Sequence, residues 1–445
     1  MRDTVNVGLL GWGTVGNGVV KIFRDSEDLL ARRAGVGLRL KRVADLDLER
    51  DRGVTLPPEV LTKSARDVIR DPDIHIVVEL IGGEEPARTF ILEALRAGKH
   101  VVTANKALLA KHWDELHGAA RRASRDLYFE ASVGGGIPVV QALNDGLAAN
   151  HIQAIYAIIN GTANYILTEM GKGAGYAETL ALAKQAGYAE ADPALDVEGG
   201  DTMHKLVILA SLAFGRRVKP EQVYVEGINR LTAADLEYAR EEFDHVVKLL
   251  GIARQNGDGS VQVRVHPTLI PREHLLAAVN GVYNGIYTVG DAVGATLAYG
   301  QGAGEMPTAS AVLSDIVFIA RNIHMGVAGN VPSVYYLPGG PDQVLNVAPM
   351  GDLVTEYYLR LTVQDRMGVI AQIAKVLGEH RISIASFVQK EGQQYGEEGV
   401  TIVIMTHKAR EDAVRAAVDV IDRMDFIKQP TFMLRVEALS CRIKD

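Results

Sequence analysis

The sequence predicts three successive folding units. The first is an α/β domain on a parallel sheet with helices on both faces, the second is α+β, and the third is a ferredoxin-like βαββαβ unit. Three observations carry this. The 445 residues exceed what one hydrophobic core serves, since cores stop growing at roughly 250–300 residues. Short apolar runs alternate with helical periodicity over residues 1–150, then the pattern changes. Residues 356–437 read strand, helix, strand, strand, helix, strand.

The elements follow in order. Residues 5–10 are apolar and read as a buried strand, with a Gly-rich turn and a helix over Val15–Arg32 behind it. Strands are expected at 38–44, 74–80, 100–103 and 127–131, with helices over 86–97 and 107–124 between them. Gly98 stands where a helix C-terminal glycine belongs. Beyond residue 150, strands are expected at 151–159, 261–269 and 281–289, and helices at 176–186 and 202–214. Asn160-Gly161-Thr162 reads as a turn, and Ala309–Met325 as a long helix. The resulting domains are 1–150, with a helix near 305–325 packing back on it, and 151–327 for substrate and dimerisation. A Gly-, Pro- and Asn-rich linker over 328–352 precedes a last domain at 353–445. In that domain strands are expected at 356–363, 382–390, 399–406 and 430–437, with helices at 369–380 and 410–424.

Composition excludes several classes. Hydrophobic residues at 47% and charged residues at 23% are ordinary for a folded soluble protein. A net charge of −8 argues against nucleic acid as the main partner, because phosphate binding needs a basic face. The lone cysteine, Cys441, permits neither an internal disulfide nor a Cys-based metal site. No run of 18 apolar residues and no apolar leader is present, so no membrane partner and a cytoplasmic location are expected.

Gly11-Trp12-Gly13-Thr14-Val15-Gly16 is a GxGxxG that follows an apolar strand and opens a helix. Gly11 makes the tight turn, Gly13 lets a pyrophosphate reach the backbone, and Gly16 lets helix and strand pack closely. Helix N-terminal amides then hold the anion. This is the Rossmann dinucleotide pattern, and it predicts NAD or NADP on Gly11, Gly13, Thr14, Val15 and Gly16. At the end of the second strand, Asp45 and Asp47 favour the free ribose of NAD, whereas Arg42 and Arg50 favour the phosphate of NADP. Read without a cofactor, these four residues are a solvated loop.

The stretch 183–205, AKQAGYAEADPALDVEGGDTMHK, gathers Glu190, Asp192, Asp196, Glu198 and Asp201 ahead of Lys205. Carboxylates near one lysine suit an amino-acid ammonium and tune the lysine. The plainer reading is an acidic loop with a surface Asp201–Lys205 i,i+4 pair contributing about 0.3–0.5 kcal/mol.

This stretch resembles the homoserine dehydrogenase signature at Ala183, Gly187, Tyr188, Ala189, Asp192, Pro193, Asp196, Gly199, Asp201 and Lys205. Thr103-Ala104-Asn105-Lys106, the run Glu130–Pro138 and Asn160-Gly161-Thr162-Ala163-Asn164-Tyr165 agree with it, and the similarity spans roughly residues 5–325. The resemblance implies reversible oxidation of L-homoserine to L-aspartate 4-semialdehyde, a step that feeds threonine and methionine synthesis. It implies Lys205 as acid/base group and Lys106 as a second active-site lysine touching cofactor and substrate. A free lysine near pKa 10.4 is a poor base, and burial beside a second cation would lower it. Glu190, Asp201, Asp196 and Gly187 fall at substrate-binding positions, and Thr103 and Gly302 at cofactor positions. Glu130, Val133, Gly135 and Ile137 match a monovalent-cation site, with sodium expected on oxygen donors. Read bare, Lys106 is a snorkelling helix-start lysine, the 130–137 run is an ordinary turn, and the 299–309 loop is a helix cap.

Residues 356–437 resemble an ACT domain, most clearly at Val363-Gln364-Asp365-Arg366-Met367-Gly368-Val369-Ile370. That implies a small amino acid, here threonine, near Asp365 and Gly368, and side-by-side pairing into a homodimer or homotetramer. A pairing module without ligand is the alternative. An acylating semialdehyde dehydrogenase needs an active-site thiol and is rejected on Cys441. A His-dependent hydroxy-acid dehydrogenase finds no histidine tied to the cofactor turn, since His204 sits on another helix face from Lys205. A non-catalytic sensor on the same fold has no use for the Lys106/Lys205 pair.

Overall fold

A computed structural model describes residues 4–330, 334, 344–390 and 399–439. Cys441 and much of the expected linker lie outside them. The chain divides into two compact bodies: 1–161, 201–222 and 282–345 form one, and 162–200, 223–281 and 346–445 the other.

The first body carries a six-stranded parallel sheet. Its order is Leu61–Thr62, Gly37–Ala44, Thr4–Leu10, Ile74–Glu79, His100–Thr103 and Leu127–Tyr128. Strand order reverses between Thr4–Leu10 and Ile74–Glu79, and ligands of open α/β sheets bind beyond the carboxyl ends of strands at such a point. The Gly-rich turn stands there. Val5, Val7, Leu9, Ile76, Val78 and Val102 are buried on one face of the sheet and Leu10, Val77 and Val101 on the other, as a covered parallel sheet requires. The helix Glu305–His324 joins this core through Ala309, Val312, Ile316 and Ile319. Gly18 explains how closely it packs: a Cβ there would stand 2.5 Å from the Glu305 carbonyl oxygen. This body also holds an antiparallel set, in which Tyr283–Gly290 pairs with Ile152–Ile158 and with Gly294–Gln301.

In the second body, Val261–Pro271 pairs antiparallel with His245–Gln255 and parallel with Tyr224–Val225. At Thr268 and Leu269 it also takes Ile427–Val436 alongside, in parallel. The C-terminal strands then run in the order Ile427–Val436, Tyr357–Val363, Val400–Thr406, Ile384–Val388. Helices Val369–Glu379 and Glu411–Ile421 bury Ile373, Val376, Leu377, Val414, Ala417 and Ile421 against them. This is the βαββαβ unit.

Several expected elements change form. The helix over 15–32 divides at Ser26, which leaves helical geometry, and Glu27 and Asp28 start a new helix with carboxylates at its positive end. The strand expected at 127–131 stops at Tyr128, because Glu130–Ser132 turns into a 3-10 helix whose first amide, Glu130 N, donates to Asp315 Oδ2 at 2.9 Å. The turn at 160–162 opens the helix Gly161–Met170. The loop expected over 299–309 is a strand up to Gln301, and the following helix begins at Glu305.

Candidate active site

The Gly-rich turn is shaped for an anion. Gly11 has φ +96°, and a Cβ there would meet the Leu80 backbone at 2.7 Å. A Cβ on Gly16 would stand 2.2 Å from the Gly11 carbonyl oxygen. At Gly13 a Cβ would meet nothing within 4 Å, so the turn is tight where chain meets chain and open where the helix Thr14–Asp25 begins. Thr14 and Val15 form the first turn of that helix.

Asp45 braces the turn from the end of the second strand: its carboxylate accepts from Trp12 N at 2.6 Å and from Asp47 N at 2.9 Å. A further arginine, Arg52, stands at this place. Its Nε donates to Trp12 O at 2.6 Å, its guanidinium lies 4.5 Å from the Trp12 ring centre, and it stands 3.5 Å from Asp45. The sequence reading missed it because a folded loop carries Arg52 back while Arg50 contributes its backbone carbonyl.

Across the switch point, Thr103 is buried and donates to Glu79 Oε2 at 2.6 Å. The other Glu79 oxygen accepts from Ile81 N and Gly82 N, so this carboxyl shapes the 80–83 turn. Burial pushes Glu79 up, against the pull of those hydrogen bonds. Glu79 is the one charged residue inside the apolar run 74–81, and that was its only sequence signal. Next, Asn105 caps the helix Lys106–Ala123 by accepting from Leu108 N at 3.1 Å. The cap fixes where Lys106 leaves the backbone.

Lys106 meets the helix Gly200–Phe214 at one carboxylate. Lys106 Nζ lies 3.1 Å from Asp201 Oδ1. Lys205 Nζ donates to Asp201 Oδ2 and to the Ile159 carbonyl, each at 2.7 Å. Asn160 Nδ2 donates to the same Asp201 oxygen at 2.8 Å. Asp201 and Lys205 are buried, while the Lys106 side chain keeps 36% of its surface. The Asp201–Lys205 pair is therefore no surface pair. Burial alone would raise the Asp201 carboxyl, but Lys205, Lys106 and Asn160 outweigh it and hold the carboxyl well below the usual range. The expected second cation, Lys106, stands at this place, and Asp201 lies between the two lysines. Burial pulls adjacent His204 below the usual imidazole range.

The other substrate candidates lie in the second body. Gly187 has φ +74° and is exposed at the end of the Tyr176–Gln185 helix, where its amide donates to Lys184 O. Glu190 is exposed in the following loop, and Asp196 is half-buried in the short helix Ala194–Val197.

In the first body, Gly135 and Gly302 touch: a Cβ on Gly135 would stand 2.5 Å from the Gly302 carbonyl carbon. A Cβ on Gly302 would overlap the amide of Asn284, which is fully buried. Glu130 accepts from Val140 N and Gln141 N, each at 2.8 Å, and Asp315 is buried beside it. Burial pushes both carboxyls up, and no lysine or arginine pairs with either among the described residues. Val133 and Ile137 flank the two glycine turns, and Ile137 N donates to Gly134 O at 2.9 Å. In the βαββαβ unit Asp365 and Gly368 bracket an exposed loop, with Gly368 at φ +87° opening the helix Val369–Glu379.

Comparison with known proteins adds an independent finding. The family model described as homoserine dehydrogenase matches residues 138–317. Its NAD-binding domain matches 11–130, and an ACT domain model matches 357–424. A homoserine dehydrogenase of Neisseria gonorrhoeae is 42% identical over 98% of this chain and 99% of its own length. One of Bacillus subtilis is 41% identical over 97% and 98%. A crystal structure of a homoserine dehydrogenase from Thiobacillus denitrificans superposes with a TM-score of 0.91 at 44% identity, covering 98% of this chain and 99% of that one. A structure of the Staphylococcus aureus homoserine dehydrogenase at pH 7.5 gives 0.75 at 30% identity, covering 99% and 100%. Among the described residues, no helix is long and apolar enough to cross a membrane.

Proposed function

Because this chain belongs to the homoserine dehydrogenase family of NAD(P)-dependent oxidoreductases, we propose that Lys205 is the acid/base group of its reaction. The reaction interconverts L-homoserine and L-aspartate 4-semialdehyde. The observation that carries the proposal is the buried Asp201 carboxylate binding Lys205 on one oxygen and Lys106 on the other.

When bound, the nicotinamide would supply the hydride in the reducing direction and take it up in the oxidising direction. In the reducing direction Lys205 gives a proton from Nζ to the carbonyl oxygen, and in the oxidising direction it takes the hydroxyl proton back. Asp201 and Ile159 O aim that Nζ from two sides. Lys106, more exposed, serves substrate and cofactor. Both Asp201 oxygens already serve lysines, so Asp201 acts on the substrate through them. Glu190, supported by Asp196 and by the Gly187 backbone, takes the substrate ammonium, as acceptor-only carboxylates can. Gly11, Gly13, Thr14, Val15 and Gly16 would hold the cofactor pyrophosphate, with Thr103 and Gly302 as further cofactor residues and Asp45 as the ribose acceptor.

A sodium ion fits the 130–137 turn. The donors are all oxygen, and two buried carboxyls, Glu130 and Asp315, have no basic partner among the described residues. Glu130 with the carbonyls of Val133, Gly135 and Ile137 would hold it, and the ion would supply charge compensation for the two buried carboxyls. Threonine acts through Asp365 and Gly368, and the chain works as a homodimer or homotetramer with domains at 1–150, 151–327 and 353–445.

The test is turnover of L-homoserine with NAD or NADP by the wild type and by Lys205→Ala. Removing a general acid/base group costs about 10²–10⁴ in kcat. A folded Lys205→Ala protein that keeps wild-type kcat ends the assignment.

A further inference from the structure

We propose that the second body carries a binding site for a small zwitterionic α-amino acid, apart from the Asp365–Gly368 loop. The site is a cavity of about 460 Å³. One wall is the segment from Tyr224 to Arg230, and the others are the helix Glu411–Ile421 and the strand Ile427–Val436. No residue of the 365–368 loop lines it.

Its floor is a closed ionic network. Buried Arg435 donates to Glu226 at 2.5 Å and to Glu411 at 2.6 Å, and Arg415 donates to Glu411 at 2.8 Å and to the Tyr224 hydroxyl at 2.9 Å. Two arginines and two glutamates therefore balance each other. What remains at the rim is unbalanced in a particular way. Arg230 makes no ion pair among the described residues: it lies over the Phe432 ring and reaches only the Thr431 carbonyl, at 3.4 Å. Asp419 has no ion pair among them either. Asp422 accepts from Thr431 N and Oγ1, which leaves its charge uncompensated. One free guanidinium and two uncompensated carboxylates match one carboxylate and one ammonium on the same small molecule. Val418, Pro430 and Met433 complete the lining and suit an apolar side chain of moderate size.

The place gives such a ligand leverage. Arg230 belongs to the catalytic half of the sequence, and Asp419 to the ACT domain. Two residues before Arg230, Ile228 N donates to Val197 O at 2.8 Å, and a Cβ on Gly227 would overlap that same carbonyl. Val197 follows Asp196 and lies four residues before Asp201. An occupant that draws Arg230 toward Asp419 thus pulls on the segment carrying the substrate candidates, and coupling between two such sites is typically 5–150-fold in affinity.

The experiment titrates the full-length protein with L-valine, L-leucine and L-methionine by calorimetry. The N-acetyl and methyl ester forms of methionine remove one charge each. The expected result is binding of a free amino acid, weakened about tenfold or more by either blocking group. That binding is lost in Arg230→Gln and in Asp419→Asn, kept in Asp365→Asn, and accompanied by a changed KM for homoserine. Neither rim residue belongs to the proposed catalytic set, so basal kcat stays as in the wild type. Absence of binding to the wild type overturns the proposal. So does binding that survives both rim substitutions, or binding that only Asp365→Asn abolishes. A threonine response lost in Asp365→Asn alone speaks to the ACT-loop reading and leaves the cavity to be judged on its own arms.

Discussion

Replacing Asp201 with asparagine isolates what the shared carboxylate does. The substitution keeps shape and one acceptor oxygen but removes the charge between two ammonium groups. At an effective dielectric of about 20, a unit pair 2.7 Å apart interacts by roughly 6 kcal/mol, from which desolvation must be subtracted. Stranding one member of a buried pair costs about 3–5 kcal/mol. The Lys106 contact is partly solvated and adds about 0–1 kcal/mol. Because the amide oxygen keeps a hydrogen bond, the lower end applies, about 3 kcal/mol. That is roughly 6–12 °C in Tm for a cooperative unit of about 150–250 residues. The pH window follows from the depressed Asp201 carboxyl: its contribution is complete above the unfolded pKa near 3.9 and is lost as pH falls through the lower folded value. The Tm gap between wild type and Asp201→Asn should therefore be constant from pH 5 to pH 7 and close only below about pH 4. Differential scanning calorimetry over that range reads it, alongside kcat, which should fall with the misplaced Lys205. Equal Tm and equal kcat at pH 7 would refute the idea that Asp201 compensates the lysines.

Further outcomes are expected at other positions. Gly16→Ala places a methyl group 2.2 Å from the Gly11 carbonyl and should cost both stability and cofactor affinity. Gly13→Ala finds open space at an ordinary φ of −79°, so stability should hold within about 0.5 kcal/mol while cofactor Kd rises. A thermal scan paired with cofactor fluorescence separates the two. Asp45→Asn removes a charged acceptor, worth about 1.5–3 kcal/mol in a hydrogen bond, and should shift the NADPH/NADH ratio of kcat/KM upward about tenfold. Lys248 is buried against the Val279 carbonyl, Asn280 and Asn164, and burial pulls it down to about 8. The folded protein therefore sheds this proton before the unfolded chain does, and wild-type stability relative to Lys248→Met should rise between about pH 8 and pH 10. A flat difference in Tm across that range would show that the ammonium is not desolvated.

What the sequence discloses and what it hides follow from how local each constraint is. The Gly11–Gly16 turn is legible because its chemistry closes within six residues and its neighbours are the strand and helix on either side. The Asp201–Lys205 spacing is equally legible, but spacing does not say whether the pair faces water. Here Asn160 and Lys106, 41 and 95 residues upstream of Asp201, close over the carboxylate and turn a surface pair into a buried one. Arg52 was not singled out for a similar reason: the path of the loop from Asp45 to Gly53 is set by Asp47 and Asp51 accepting backbone amides, which residue type alone does not order. The strand Gly294–Gln301 drew no strand reading, and its end fell in the 299–309 loop, because four of its eight residues are glycine or alanine and none is fully buried, which weakens a period-2 signal. Its partner, Tyr283–Gly290, is almost wholly buried and was read nearly to its ends. Periodicity thus marks elements that bury a face, whereas the site is assembled from elements brought together at long range. In this chain the group of highest consequence, a carboxylate serving two lysines, could be named from spacing but its burial could be known only from the fold.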